Sequence, residues 1–316
     1  MSHKPRYFIT GGAGFIGSHL VDMLAGTSEV TVYDNLSSGR VDFIRRHLDA
    51  GRVRLIQADL LEPDRLQAAM KGNDAVFHLA ANSEARTGLE NTRFDLEQGT
   101  VATGNVLEAM RRNGIKKIVY ASSSTVYGET PVKPTAEDYG PLQPISLYGA
   151  SKLAGEGLIS AFCHSFDMQG WIFRFANVIG ARSTHGVVFD FINKLEKNHG
   201  ELEILGDGTQ EKPYLHVADC VAGFLYGFQH AGDRLNLFNL GVASSTRVST
   251  IARILTEEMG LRKVAFKFTG GKRGWPGDVP QVRYDTSKME KLGWQPEYTS
   301  DEAVRRGIKD ILGKPG

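Results

Sequence analysis

Tyr148 and Lys152 stand four residues apart in Leu147-Tyr148-Gly149-Ala150-Ser151-Lys152. On a helix that spacing puts both side chains on one face. An ammonium beside a phenol favours the phenolate. It draws a pKa normally near ~10 toward working pH and makes the tyrosine a usable proton acceptor. The pair alone is common on surface helices. Here it follows a run of hydroxyls, Ser122-Ser123-Ser124-Thr125-Val126-Tyr127-Gly128, and a glycine turn, Thr10-Gly11-Gly12-Ala13-Gly14-Phe15-Ile16-Gly17. Proton transfer next to a bound phosphate-bearing cofactor is the chemistry these residue types share.

Positioning them requires strands that end together. Residues 6–10 read as a short buried strand. The glycine turn follows, then a helical apolar pattern through Ile16, Leu20, Val21 and Leu24. Further strands are expected at 29–33, 53–57, 75–79, 117–121 and 171–175, with helical patterns between most of them, including 95–112 and 147–166. Strands alternating with helices indicate a doubly wound α/β parallel sheet of Rossmann type. Beyond residue 176 the rhythm breaks into short strands near 202–205, 238–240 and 264–268. The expected organisation is therefore a dinucleotide-binding domain over 1–176 and a smaller α/β substrate-binding lobe over 177–316, with segments exchanged between them.

Gly11, Gly14 and Gly17 directly follow a strand and open a helix, so a pyrophosphate can approach the helix N-terminus. Asp34 ends the second strand, 20 residues past Gly14. A carboxylate there accepts hydrogen bonds from ribose hydroxyls and repels a 2′-phosphate, which favours NAD over NADP; Arg40 is the one nearby cation against it. Asp59-Leu60 follows another strand, where an adenine ring could be met, and Leu79-Ala80-Ala81 ends a further one with small residues beside the cofactor backbone.

The chain has 316 residues, 41% hydrophobic and 23% charged, with net charge +1. That gives no bulk electrostatic case for nucleic acid or an anionic membrane. Cys163 and Cys220 show no metal-ligand spacing and no disulfide framework, which suits a reducing cytoplasm. No apolar run reaches membrane-helix length, and Met1–Pro5 leads directly into a strand with no room for a signal peptide.

Seven segments together resemble the extended short-chain dehydrogenase/reductase superfamily, in its nucleotide-sugar epimerase/dehydratase branch: Thr10–Gly17, Asp34-Asn35-Leu36, Phe77-His78-Leu79-Ala80-Ala81, Ser122–Gly128, Tyr148–Lys152, Arg174-Phe175-Ala176-Asn177-Val178 and Gly206-Asp207-Gly208-Thr209-Gln210. The likeness runs nearly the whole chain and is nearest to the group of UDP-glucose (UDP-galactose) 4-epimerases. It implies that Tyr148 is the base, that Lys152 tunes it and holds the nicotinamide ribose, and that Ser123, with Ser124 adjacent, shares the proton network at the sugar 4-hydroxyl. Phe15, Ile16, Ser37, Gly39, Ser122 and Phe175 join the implied NAD contacts. On the substrate side it implies Asn177, Val188, Lys212, Tyr214 and Asp278. It further implies a UDP-hexose substrate, a 4-keto intermediate and a homodimer built on helices carrying Val101, Leu107, Leu153, Ile159 and Phe162.

Dehydratases and decarboxylases of this branch carry an acid just before Val-Tyr-Gly, whereas this chain has Ser124 and Thr125. Neither is a general acid near pH 7, which favours an epimerase cycle that takes and returns one hydride. Several positions depart from the family pattern. Leu96 replaces an Asn, with Gln98 as a substitute contact. Lys212 replaces a phosphate-binding Arg and cannot bind bidentately. Trp275 takes the place of a second Arg, with Arg273 two residues earlier. Arg86 or Arg182 could face the sugar, which would suit a C6 carboxylate. Val282 stands where a Tyr would close the pocket to an N-acetyl group. His78 and His216 read as structural, and Trp275 and Trp294 as packing aromatics. The alternatives are a glucuronate or N-acetylhexosamine epimerase and, in another class, a non-catalytic NAD-sensing protein.

Overall fold

The computed structural model describes residues 4–82 and 84–314; Met1–His3, Ser83 and the last two residues lie outside the described residues. A seven-stranded sheet organises the first half of the chain. Its strands are β1 (Arg6–Thr10), β2 (Glu29–Asp34), β3 (Val53–Gln57), β4 (Ala75–His78), β5 (Lys117–Ser123), β6 (Gln169–Phe175) and the late strand Leu235–Leu240. The spatial order is Leu235–Leu240, β6, β5, β4, β1, β2, β3. Strands β1–β2, β1–β4, β2–β3 and β4–β5 pair in parallel, with Thr10 opposite both Tyr33 and His78, and His78 opposite Tyr120. The carboxyl ends of β1 and β4 are therefore level, and β5 runs on past them from Tyr120 to Ser123. Strand order reverses at β1, which creates the crevice where α/β sheets bind ligands.

Every residue of β4 is buried, as a strand covered on both faces must be. Phe8, Val76, Ile118 and Tyr120 of the sheet pack with Leu107, Met110 and Ile159 of neighbouring helices. Leu107 and Ile159 are thus core residues and cannot serve an outer face as the sequence reading expected. Leu153 and Phe162 are half-buried and Val101 is exposed. A second core joins Phe191, Leu195, Leu202, Ile204, Ile251, Leu255, Val304 and Ile308.

The chain forms two compact units: residues 1–126, 146–174 and 225–238 make the first, and 127–145, 175–224 and 239–316 the second. The sheet cannot be built from the first 176 residues alone, because Leu235–Leu240 pairs beside β6. The 95–112 helix also differs from expectation. It begins as a π-helix, Leu96–Val101, and continues as an α-helix, Ala102–Asn113, ended by Gly114 at φ 70°. Single π turns inside helices cluster at functional sites. Among the described residues no helix is long and apolar enough to cross a membrane.

Candidate active site

The glycine turn is built by close approach. Gly11 has φ 71°, and a Cβ there would lie 2.7 Å from the Ala80 nitrogen. A Cβ on Gly17 would lie 2.1 Å from the Gly11 carbonyl oxygen. Side chains are excluded at both positions, so the backbone can fold tightly over the start of α1 (Phe15–Leu24). Gly14 caps that helix in extended conformation, with no side-chain cap and no acid in the first turn. An uncapped helix N-terminus beside a side-chain-free turn suits an anionic pyrophosphate. Phe15 and Ile16 of the first turn are half-buried, as are Ala80 and Ala81 at the end of β4.

Asp34 is buried at the end of β2 and ties the turn together. Its Oδ2 accepts from the Ala13 N–H at 2.9 Å and its Oδ1 from the Leu36 N–H at 2.9 Å. A Cβ on Gly39 would lie 2.9 Å from Asp34 Oδ1. Burial raises the Asp34 pKa and the two backbone bonds oppose that rise. Asn35 donates to Asp59 Oδ2 at 2.8 Å and accepts from the Ser37 N–H at 3.0 Å. Asp59 also accepts from the Leu61 N–H at 2.9 Å and meets Gln98 at 3.4 Å. Arg40 holds its N–H on the Ala13 carbonyl and lays its guanidinium over Phe43, 5.9 Å from the ring centre. These residues fit a dinucleotide: a turn for pyrophosphate and a carboxylate rim for ribose. NAD is expected to bind at least roughly tenfold more tightly than NADP, and equal affinities in calorimetry would displace Asp34 from that role.

Tyr148 and Lys152 share a face of the Leu147–Ser165 helix, whose N-terminus Ser146 caps through the Gly149 N–H at 3.0 Å. Ser123 ends β5 beside them. The Thr125 hydroxyl donates to Ser123 Oγ at 2.9 Å, which leaves the Ser123 proton free to reach Tyr148. Burial pushes the Tyr148 phenol up to about 12, the Ser123 bond lowers it and Asp95 raises it. Lys152 is buried, donates to the Ala121 carbonyl at 2.7 Å and lies 5.7 Å from the centre of the Tyr148 ring. Burial lowers its pKa to about 8, against the upward pull of Glu156 and Asp95. The four-residue spacing predicts that Lys152 lowers the Tyr148 pKa. In the structure the Lys152 ammonium donates to the Ala121 carbonyl, and Ser123 is the neighbour that lowers the Tyr148 phenol.

Two features went unseen in the sequence. One is Glu156, a further turn along the same face. It accepts from Ser122 Oγ at 2.6 Å and from both Arg174 Nε and Nη2, at 3.0 and 2.7 Å. The Ser122 hydroxyl therefore spends its proton on Glu156. The signal was available: Tyr148, Lys152 and Glu156 repeat at four-residue spacing. The other is Asp95, buried just before the π turn and coupled to both Tyr148 and Lys152. His78 is structural, as expected. Thr10 Oγ1 lies 2.7 Å from its Nδ1 and Thr103 Oγ1 3.0 Å from its Nε2, and burial followed by the Lys152 charge lowers its pKa to about 3.

In the second unit the expected substrate residues divide. Val188 and Tyr214 belong to the core, so their side chains are packing elements; burial and then Asp278 raise the Tyr214 phenol. Lys212 pairs with Asp278, whose Oδ2 accepts from the Gly274 N–H at 3.0 Å. Arg273 donates to the Asp278 carbonyl at 2.8 Å and to Glu129 at 2.6 Å. The structure thus brings Lys212, Arg273 and Asp278 together. Val282 is half-buried and held by its N–H on the Glu211 carbonyl. Asn177 is exposed and reaches the Pro213 carbonyl at 3.5 Å. Phe175 packs edge-on against Phe224. Arg182 sits at φ 67°, a left-handed conformation that non-glycine residues rarely adopt. His216 is bonded to Asp310 at 2.9 Å. In the first unit, Arg86 is clamped by both Glu84 oxygens at 3.0 and 3.1 Å. Among the described residues no His, Cys, Asp or Glu cluster could hold a metal ion.

The sequence model of the NAD dependent epimerase/dehydratase family matches residues 7–241. The chain is similar to the UDP-glucose 4-epimerase of Mycolicibacterium smegmatis, with 32% identity over 98% of this chain and 99% of the relative. Its structure resembles a crystal structure of a UDP-galactose 4-epimerase, with TM-score 0.88, 40% identity and coverage of 98% of this chain and 99% of that one. It also resembles the Thermus thermophilus UDP-glucose 4-epimerase in complex with NAD, with TM-score 0.86, 29% identity and coverage of 98% and 99%.

Proposed function

The chain belongs to the NAD dependent epimerase/dehydratase family, and on that basis we propose that it inverts C4 of a UDP-hexose of the glucose/galactose type. The observation that carries this reading is the Ser123–Tyr148–Lys152 set with no carboxylic acid at the two neighbouring positions. Thr125 occupies one of them and spends its hydroxyl on Ser123. Proton transfer at a single sugar hydroxyl is what such a set can perform; elimination or decarboxylation would call for a second acid or base.

NAD would supply the hydride acceptor, and then the hydride donor, for C4 of the sugar. The glycine turn and the α1 N-terminus would hold its pyrophosphate, and Asp34 its adenosine ribose. Tyr148 takes the 4-hydroxyl proton and later gives it back. Ser123, at the end of β5, lowers the Tyr148 phenol and so favours its ionised form. Lys152, anchored on Ala121, keeps a buried positive charge beside the phenol. Lys212 and Arg273 are the cations offered to the UDP diphosphate, and Asn177 stands where the family motif carries the Asn that meets it.

A neutral sugar is the first reading; Arg86, held on both oxygens of Glu84, and Arg182 are the cations that a C6 carboxylate would draw on. Val282 offers no aromatic ring to exclude an N-acetyl group, so UDP-N-acetylglucosamine is also admissible, and Val282→Tyr should reduce its turnover relative to UDP-glucose. A UDP-sugar panel with product identification by NMR tests the reading. C4 inversion of UDP-glucose or UDP-galactose is expected. Tight NAD binding with no inversion of any sugar would favour the NAD-sensing alternative.

A homodimer is part of the same proposal. Leu89, Leu96, Val101 and Leu147 are exposed on the first unit, and apolar groups gathered this way favour self-association. Sedimentation at micromolar concentration should show a dimer; a monomer there would remove this element. The two cysteines, both free and buried, suit work in a reducing cytoplasm.

A further inference from the structure

Asp95 is 1% exposed, yet only one of its oxygens is satisfied. Oδ1 accepts from Asn82 Nδ2 at 3.0 Å, while Oδ2 has no hydrogen-bond partner among the described residues. Leaving a buried carboxylate half-satisfied is costly, so its retention calls for a reason. Its surroundings keep it close to the Tyr148 turn. A Cβ on Gly88 would lie 2.7 Å from Asp95 Oδ2 and 3.3 Å from Leu147 Cβ, so only glycine lets these groups meet. One turn further, a Cβ on Gly99 would lie 2.6 Å from Ser151 Oγ, which itself donates to the Tyr148 carbonyl at 2.8 Å. The π turn starts at Leu96, immediately after Asp95, and docks on that same turn of the Tyr148 helix.

We propose that Asp95 is a positioning residue of the reaction, its buried carboxylate being the fixed charge against which Tyr148 must ionise, with Asn82 and Gly88 holding it in place. This rests on the epimerase reading above. The groups that share the region are Tyr148, Lys152 and Glu156 on one helix, Tyr120 and Ser123 on β5, and His78 on β4. Of these, Lys152 carries the opposing positive charge, and Ser123 supplies the bond that favours the phenolate. Asp95 raises the Tyr148 pKa and also helps Lys152 stay protonated. Asp95 therefore opposes the base while supporting the cation.

The test is the pH profile of kcat/KM for UDP-galactose, measured alongside the ultraviolet tyrosinate difference spectrum of each protein against its Tyr148→Phe counterpart. The spectrum needs no substrate, so it separates failure of this proposal from failure of the epimerase reading. Asp95→Asn should move both the acid limb and the tyrosinate transition to lower pH by about one unit. On that limb the variant turns over up to about tenfold faster than wild type at the same pH. Burial raises the Asp95 pKa, and the Asn82 bond and then the Lys152 charge oppose that rise; Asn82→Ala removes that bond, so less of the carboxyl is ionised, and should move both in the same direction by less. It carries the test if Asp95→Asn fails to fold. A limb and a transition that stay in place in the folded variants, or that move to higher pH, overturn the proposal. A uniform loss of rate across the profile does so as well, since a merely structural role gives that result.

Discussion

Tyr148→Phe should lower kcat at least about 100-fold, as expected when a positioned general base is removed. The phenyl ring still fills its half-buried place, and every cofactor-side residue in the glycine turn and around Asp34 is untouched. NAD binding should therefore stay near wild type, which calorimetry checks. The prediction turns on the hydroxyl because Ser123 lowers its pKa while Lys152 Nζ bonds Ala121. A variant retaining more than about a tenth of kcat would mean that the hydroxyl supplies less than ~1.4 kcal/mol of barrier lowering. The base would then lie elsewhere.

A second large effect is expected one turn beyond Lys152 on the same helix. Arg174 and Glu156 have side chains 3% and 8% exposed, and two guanidinium nitrogens of the first meet both carboxylate oxygens of the second. Arg174→Leu leaves Glu156 buried with Ser122 as its one hydrogen-bond donor among the described residues. Orphaning one member of a buried pair costs about 3–5 kcal/mol, a large share of the stability of an ordinary domain. Urea denaturation at neutral pH should show it. Adding Glu156→Leu to the same chain removes the orphaned charge and should recover most of the loss. If Arg174→Leu costs less than about 1 kcal/mol, water or another group has replaced the guanidinium.

The sequence reading was strongest where chemistry depends on local spacing. Gly11, Gly14 and Gly17 announce a side-chain-free turn, and the structure brings Ala80 against it. Tyr148 and Lys152 announce a shared helix face. Alternation of strands and helices announces the parallel sheet. What stayed hidden depends on distant partners. Ser122 looked like part of a hydroxyl-lined site, but its partner Glu156 lies 34 positions on. The direction of the Tyr148 shift depends on how deeply the phenol is buried and where the ammonium turns, and no spacing encodes either. Asp95 looked like the polar start of an ordinary helix. Its burial and the π turn after it arise from packing against Ser151 through Gly99. Lys212 and Arg273 were legible as cations, while their shared attachment to Asp278 required the strand Glu211–Lys212 and the turn at Gly274 to come together.

The interleaving of the two units also constrains how the polypeptide can be made and cut. During synthesis, β6 emerges about sixty residues before its outer neighbour Leu235–Leu240. Until then an apolar strand, buried along 170–175 in the finished protein, presents an open edge that can recruit other chains. A truncated gene ending at residue 176 would make that condition permanent, so such a fragment should aggregate on expression. Fusing residues 225–240 after the end of β6 at Phe175 would restore the missing strand and close that edge.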